Sequence, residues 1–125
     1  MNKINFFYIS MPGDLPITTL IGDDTPRSAT ITLVAGLILE GQPEEYEVSV
    51  STSEFTVFNK QKVPRGIIIK LGDTGLITTQ LTMTLTLNNA AINTKYNMEI
   101  KLYKEGVEID KSNSDIYVVG EKDVQ

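Results

Sequence analysis

Hydrophobic and polar residues alternate closely between residues 77 and 88. The run reads I-T-T-Q-L-T-M-T-L-T-L-N, and nearly every second residue is apolar. Because successive side chains of a β-strand point to opposite faces, this run predicts a strand with one apolar and one threonine-rich face. The apolar face packs on a core, and the threonine face meets water or a partner. The sequence therefore predicts a half-covered β-sheet.

Other strand-like segments, bounded by turn signals, fill the rest of the chain. Residues 29–40 are apolar on both faces from Leu33 onward, which predicts a central strand covered on both sides, and Gly36 suggests a bulge there. The earlier run, 17–21, follows Pro16 and predicts an edge strand. Further strands are expected at 4–11, 46–51, 55–58, 67–71, 96–102, from Val107 through Ile109, and at 116–119.

No segment shows a helical period, and short strands between turns are typical of an all-β fold. We predict an antiparallel β-sandwich of about seven to nine strands. Nothing divides the chain by repeat or linker, so residues 1–120 are expected to form one domain. Residues 121–125 are polar and are expected to form a flexible tail.

The chain has 125 residues and contains neither cysteine nor histidine. This length can bury a core without metal or disulfide. The missing residue types exclude thiol nucleophiles, Ser–His and Cys–His pairs and the commonest zinc ligands. An enzyme would have to use carboxylates, lysine or tyrosine as catalytic groups, and burial would have to shift their pKa values. We therefore predict a non-enzymatic protein that needs no cofactor.

The net charge of -5 disfavours binding to nucleic acid and to anionic membranes. The apolar run at residues 6–9 is too short for a secretory signal, and no stretch is long enough to span a bilayer. The absence of cysteine fits a reducing compartment. The expected location is cytoplasmic, with no nucleic-acid and no membrane partner.

The last third of the chain resembles the closing half of an immunoglobulin-like or C2-like sandwich. An alternating strand leads to a second strand that opens at Tyr96, and a hairpin follows at Lys104-Glu105-Gly106. The resemblance implies that the Tyr96 hydroxyl bonds back across the preceding corner. It also places Met98 where antibody domains carry a cysteine.

The whole layout also resembles a family of uncharacterised bacterial and phage-associated single-domain β-sandwich proteins. The shared features are an opening strand like I-N-F-F-Y-I-S and a later strand like A-T-I-T-L-V-A-G-L-I. That family brings no catalytic residues to this chain, and fold alone implies no function.

Asp73-Thr74-Gly75 resembles the D-T-G loop of homodimeric aspartic proteases, in which paired carboxylates share a proton. Residues 118–120 (V-V-G) are similar to the apolar pair and glycine that support such a loop. However, Gly72 precedes Asp73 where those enzymes carry an apolar residue. Aspartate and glycine favour β-turns on their own. We interpret the segment as a turn between two strands and keep a protease using Asp73 as a remote alternative.

Acidic residues in predicted loops raise the alternative of a calcium-dependent sandwich. Calcium requires six to eight converging oxygen ligands, and no D-x-D spacing supplies them. We interpret these residues as solvated loop acids. A carbohydrate-binding sandwich is the related alternative, although the chain has no tryptophan on which a sugar could stack. The candidate calcium ligands are Asp23, Asp24, Asp73, Asp110 and Asp115.

A basic run without acidic residues extends over residues 59–70. It could attract an anionic partner, or its cations could protect the apolar strand that follows from aggregation. Our leading prediction is a protein that acts through protein–protein contact, by strand addition at an edge or docking of a flat face, with a homodimer as one form. The predicted partner-binding residues are Lys60, Lys62, Arg65, Lys70 and, from the opening aromatic strand, Phe7.

Overall fold

The computed structural model describes residues 2–10, 16–17, 19–22, 27–52, 56–63, 68–90 and 94–120. In this part of the chain there is no α-helix, and only Pro43–Glu45 forms a short 3₁₀ helix. Consequently no described helix could cross a membrane. The strands are Lys3–Ser10 (β1), Thr19–Gly22 (β2), Arg27–Glu40 (β3), Tyr46–Thr52 (β4), Thr56–Lys62 (β5), Ile68–Lys70 (β6), Leu76–Ala90 (β7), Thr94–Lys104 (β8) and Val107–Gly120 (β9).

These strands form two sheets. The four-stranded sheet has the order β1-β3-β7-β6, and the five-stranded sheet has the order β2-β9-β8-β4-β5. Neighbouring strands are antiparallel except for β2, an edge strand that runs parallel to β9. The predicted all-β sandwich and the predicted edge position of the second strand are confirmed. The immunoglobulin-like or C2-like assignment within this class stays a prediction.

One hydrophobic core lies between the sheets. The two sheets contribute alternate residues of β3, β4, β8 and β9, as expected when strands present one face to an opposing layer. The largest fully buried side chains of this core are Ile9, Ile31, Leu33, Leu37, Leu39, Tyr46, Val50, Met98, Ile100, Leu102 and Ile116.

Strand β7 confirms the alternation read from the sequence. Its apolar residues at the two ends, Ile77 and Leu87, are buried with Leu81 between them, and Met83 and Leu85 pack partly against the core. The opposite face is exposed at Gln80, Thr82, Thr84 and Thr86. The central position of β3 is also confirmed, because residues 31–37 are buried without interruption.

The bulge suggested by Gly36 exists, but the extra residue belongs to the neighbouring strand. Ile4 pairs with Leu37 and Phe6 pairs with Gly36, so Asn5 of β1 has no opposite residue in β3. A bulge shifts the alternation by one position. As a result Ile4, Phe7 and Ile9 all face the core, whereas Asn5 and Phe6 are both exposed.

Residues 110–115 lie in the middle of β9, so the loop predicted for D-K-S-N-S-D was wrong. This polar segment pairs with β8 and runs beside the free edge of β1. There the backbone N–H of Ile4 donates to Asp110 Oδ2 at 2.8 Å, and Ser114 Oγ donates to the Phe7 carbonyl at 2.9 Å. The N–H of Ile17 donates to the Ile9 carbonyl at 2.7 Å. The polar side chains therefore occupy a strand edge that would otherwise be unpaired.

A fully buried tyrosine joins three strands at one end of the sandwich. The Tyr46 hydroxyl lies 2.6 Å from the Glu40 carbonyl oxygen and 2.7 Å from Asn2 Oδ1, and its single proton is shared between these two acceptors. Asn2 Oδ1 also accepts from the Glu40 N–H at 2.7 Å. Tyr46 thus bonds back across a corner, and the bond that the resemblance implies for Tyr96 stays a prediction. The Tyr96 side chain is half-buried against the core.

Replacing Tyr46 with phenylalanine removes this hydroxyl and keeps the ring. Because the Glu40 carbonyl and Asn2 lose a partly buried partner, we expect the free energy of unfolding to fall by about 1.5 kcal/mol. Urea denaturation measures it. Tyr117→Phe is the matched control, since Tyr117 is 49% exposed. Equal midpoints for the two variants would show that the corner bond is not stabilising.

Thr79 is 4% exposed on the core side of β7, and its hydroxyl has no hydrogen-bond partner among the described residues. Valine has nearly the same shape and no polar atom, so Thr79→Val should raise the free energy of unfolding by about 1 kcal/mol. Thr82→Val, on the exposed face of the same strand, should leave it unchanged. A loss of stability in Thr79→Val would contradict this account.

Candidate functional site

The described residues of the basic run lie on two different edge strands. Lys60 and Lys62 belong to β5, the edge of the five-stranded sheet, and Lys70 belongs to β6, the edge of the four-stranded sheet. All three are exposed. Arg65 lies outside the described residues. The run therefore connects the edges of the two sheets instead of following one strand.

Strand β5 is irregular where these lysines lie. Asn59 and Lys60 together oppose a single residue of β4, and Lys60 has a positive φ of 42°. Its ammonium lies 5.0 Å from the centre of the Tyr103 ring, and Lys62 Nζ donates to the Glu44 carbonyl at 3.3 Å. Bulges and lysines are typical of edges protected against strand pairing. We favour this interpretation over an anion site.

The opening aromatic strand presents Phe6 to the surface in place of Phe7. Phe7 is 7% exposed and belongs to the core, whereas Phe6 is 39% exposed. Contact with a partner through Phe7 would require the core to open. The sequence could not separate these neighbours, because the bulge at Asn5 decides which ring faces outward.

The acidic candidates lie apart from one another. Asp73 lies in the exposed turn between β6 and β7, where Thr74 Oγ1 donates to the Leu71 carbonyl at 2.6 Å. The favoured turn interpretation of Asp73-Thr74-Gly75 is confirmed, and Val118–Gly120 pairs with β2 and β8 in the other sheet.

Asp115 accepts from Asn97 Nδ2 at 2.8 Å. Asp23 and Asp24 lie outside the described residues, and within the described part no three acids cluster as metal ligands.

The outer face of the five-stranded sheet is charged. Lys101 Nζ lies 3.5 Å from Glu108 and 3.6 Å from Glu99. The negative charge of Glu108, with that of Glu99, raises the pKa of Lys101 above its ordinary value. Lys111, Asn113 and other polar residues of β9 continue this surface. Such exposed ion pairs contribute little to stability and leave a hydrated surface.

The outer face of the four-stranded sheet contains a groove of about 470 Å³. It crosses all four strands, which at a strand spacing of about 4.8 Å corresponds to about 14 Å. None of its described lining residues carries a charge. They are Asn5, Phe6, Gly36, Leu37, Ile38, Ile69, Thr78, Thr79, Gln80 and Thr82.

Cross-strand pairing arranges the outward residues of this groove in two rows. In the first row Gly36 lies between Phe6 and Gln80. In the second row Thr78 lies between Ile38 and Ile69, and Ile69 is 58% exposed. Each row therefore combines an apolar surface with an amide or hydroxyl group.

The Phe6 ring lies directly over Gly36. A Cβ on Gly36 would overlap ring atoms Cε2 and Cζ and would lie 2.8 Å from Cδ2. The Tyr8 ring follows at a centroid distance of 5.8 Å and an interplanar angle of 24°. The two rings are stacked, and Phe6 is the one that lines the groove.

Sequence reasoning located the threonine face and missed the groove beside it. The exposed face of β7 contributes Gln80 and Thr82, which the alternation of the sequence places on that face. Phe6 and Gly36 lie 30 positions apart in the numbering and meet only through the pairing of β1 with β3. Besides the threonine face, the signals for this site in the sequence were the suggested bulge glycine and the aromatic run.

Comparisons with known proteins give a fold and no family. No protein-family model matches the chain, and no curated protein matches it. Among solved structures it is similar to the crystal structure of a "putative beta-galactosidase" from Bacteroides fragilis, with 20% identity and a TM-score of 0.56. The match covers 94% of this chain and 17% of that protein. At this identity the likeness supports the β-sandwich fold alone.

Proposed function

We propose that this protein is a carbohydrate-binding β-sandwich that holds a neutral saccharide in the groove on its four-stranded sheet. The observation that carries the proposal is the lining of that groove. It combines the exposed Phe6 ring with the side chains of Asn5, Thr78 and Gln80, and no described lining residue is charged. A pyranose has an apolar C–H face and a rim of neutral hydroxyl groups, which an aromatic ring and amide or hydroxyl side chains complement.

The shape of the site supports a small ligand. Ligand sites are concave and commonly enclose about 300–1,000 Å³, whereas protein interfaces of standard size cover about 800 Å² per partner. The groove has a volume of about 470 Å³. The two outer faces also differ in charge. The face around Lys101 carries ion pairs and favours hydration, whereas the described lining of the groove is uncharged.

The structural neighbour is compatible with this proposal. The Bacteroides fragilis protein is described as a "putative beta-galactosidase", a name that refers to a sugar, although this chain spans only 17% of its length. Its activity as a whole enzyme is not proposed for this chain. The proposed role is binding without catalysis.

A protein partner is the second candidate, favoured by two exposed apolar side chains, one in the groove and one close to it in sequence. Ile69 is 58% exposed and Leu71 is 37% exposed at the β6 end of the sheet. Face docking fits these residues better than strand addition at β5 or β1, because lysines and a bulge lie on the β5 edge and side chains of β9 bond to the β1 edge. A second copy of this chain is one such partner.

Isothermal titration against a panel of neutral gluco-, galacto-, manno- and xylo-oligosaccharides tests the carbohydrate proposal. We expect binding to at least one sugar, and Phe6→Ala should weaken it about tenfold because the stacking surface is lost. Tyr117→Ala is the matched control, since this exposed aromatic residue lies on the other sheet.

Two results would contradict the carbohydrate proposal. One is the absence of binding to every sugar of the panel, and the other is equal affinity of wild type and Phe6→Ala. If binding is absent, a concentration series in light scattering with wild type and Ile69→Asp tests the second copy as the alternative occupant. Dimers that Ile69→Asp dissociates would support that alternative.

A further inference from the structure

We propose that Gly36 and the bulge at Asn5 act together to position the Phe6 ring as the sugar-stacking surface of the groove. This inference rests on the proposed function and assigns a role to a residue that offers the ligand no side chain. Gly36 would be a positioning residue, since it acts through Phe6.

The absence of a side chain at Gly36 is what allows the ring to lie on the sheet. Ring atoms of Phe6 occupy the volume that a Cβ at position 36 would fill. Gly36 lies in the middle of β3 and has no positive φ, so backbone conformation does not require glycine there. A glycine inside a strand weakens it unless another group approaches closely, and here that group is the Phe6 ring.

The bulge supplies a second element of the site. Without the extra residue, Asn5 and Phe6 would point to opposite faces of β1. With it, both side chains are exposed and both line the groove. An amide thus lies beside the aromatic ring on one strand, which is the pairing that a sugar ring with hydroxyl groups at its edge requires.

Gln80 completes the row on the other side of Gly36. It pairs with Gly36 across β7, is exposed, and lines the same groove. The row therefore carries a ring and a second amide with a residue of minimal size between them. A side chain at position 36 would fill this space and displace the ring.

Titration of Gly36→Ala with the sugars that wild type binds tests the proposal. We expect the affinity to fall at least tenfold, as in Phe6→Ala, although Phe6 is still present. The double variant Phe6→Ala/Gly36→Ala should bind no more weakly than Phe6→Ala alone. Both changes act on the same sugar-stacking surface, the Phe6 ring, so their effects should not add. Thr84→Ala is the control, since Thr84 is exposed on the same face and does not line the groove.

NMR spectra without ligand test the position of the Phe6 ring separately from sugar affinity. In wild type, nuclear Overhauser contacts should connect the Phe6 ring protons with the Gly36 Hα protons, and their absence would overturn the proposal. The double variant contains no clash, so it reports on the site even if Gly36→Ala alone folds poorly. Unchanged affinity in Gly36→Ala would overturn this inference alone, whereas no binding by wild type would overturn the proposed function with it.

Discussion

The central strand β3 must be shielded from water on both of its faces, and much of the architecture follows from this constraint. Its inward residues, from Ile31 to Leu39, pack against the opposing sheet. Its outward residues Thr32 and Val34 are also buried, although no second layer of described strands covers that face. Among the described residues, side chains of β1 lie beside these outward positions. Tyr8 pairs with Val34, and Phe6 covers Gly36.

The groove is a consequence of this cover. The Phe6 ring lies on the sheet over Gly36, and the outward residues of β7 beyond it are threonines and one glutamine. The resulting depression is uncharged along its described lining, whereas the opposite outer face carries the ion pairs of Lys101. One sandwich thus has two chemically different faces, and its β5 and β1 edges carry lysines, a bulge or side-chain hydrogen bonds.

The strand pattern was readable from the sequence wherever burial alternates. The alternation of β7 and the apolar character of β3 predicted their faces and their central place, and Glu105-Gly106 predicted a tight turn that both residues form with positive φ. The polar stretch of β9 was misread, because its strand conformation is fixed by pairing with β8 and by contacts to β1. The site depended on a one-residue bulge, which periodicity does not reveal. Lys60 and Lys70 were recognisable as exposed cations, but only strand order shows that they lie on different sheets.

The most direct test of the central claim is a two-dimensional ¹H–¹⁵N NMR titration of the intact chain with the neutral oligosaccharide panel. A saccharide in the groove should shift the amide signals of Asn5, Phe6, Gly36 and Gln80 in a saturable manner, while signals of β8 and β9 on the charged face stay in place. Shifts concentrated on β8 and β9, or no shifts with any sugar, would contradict the account.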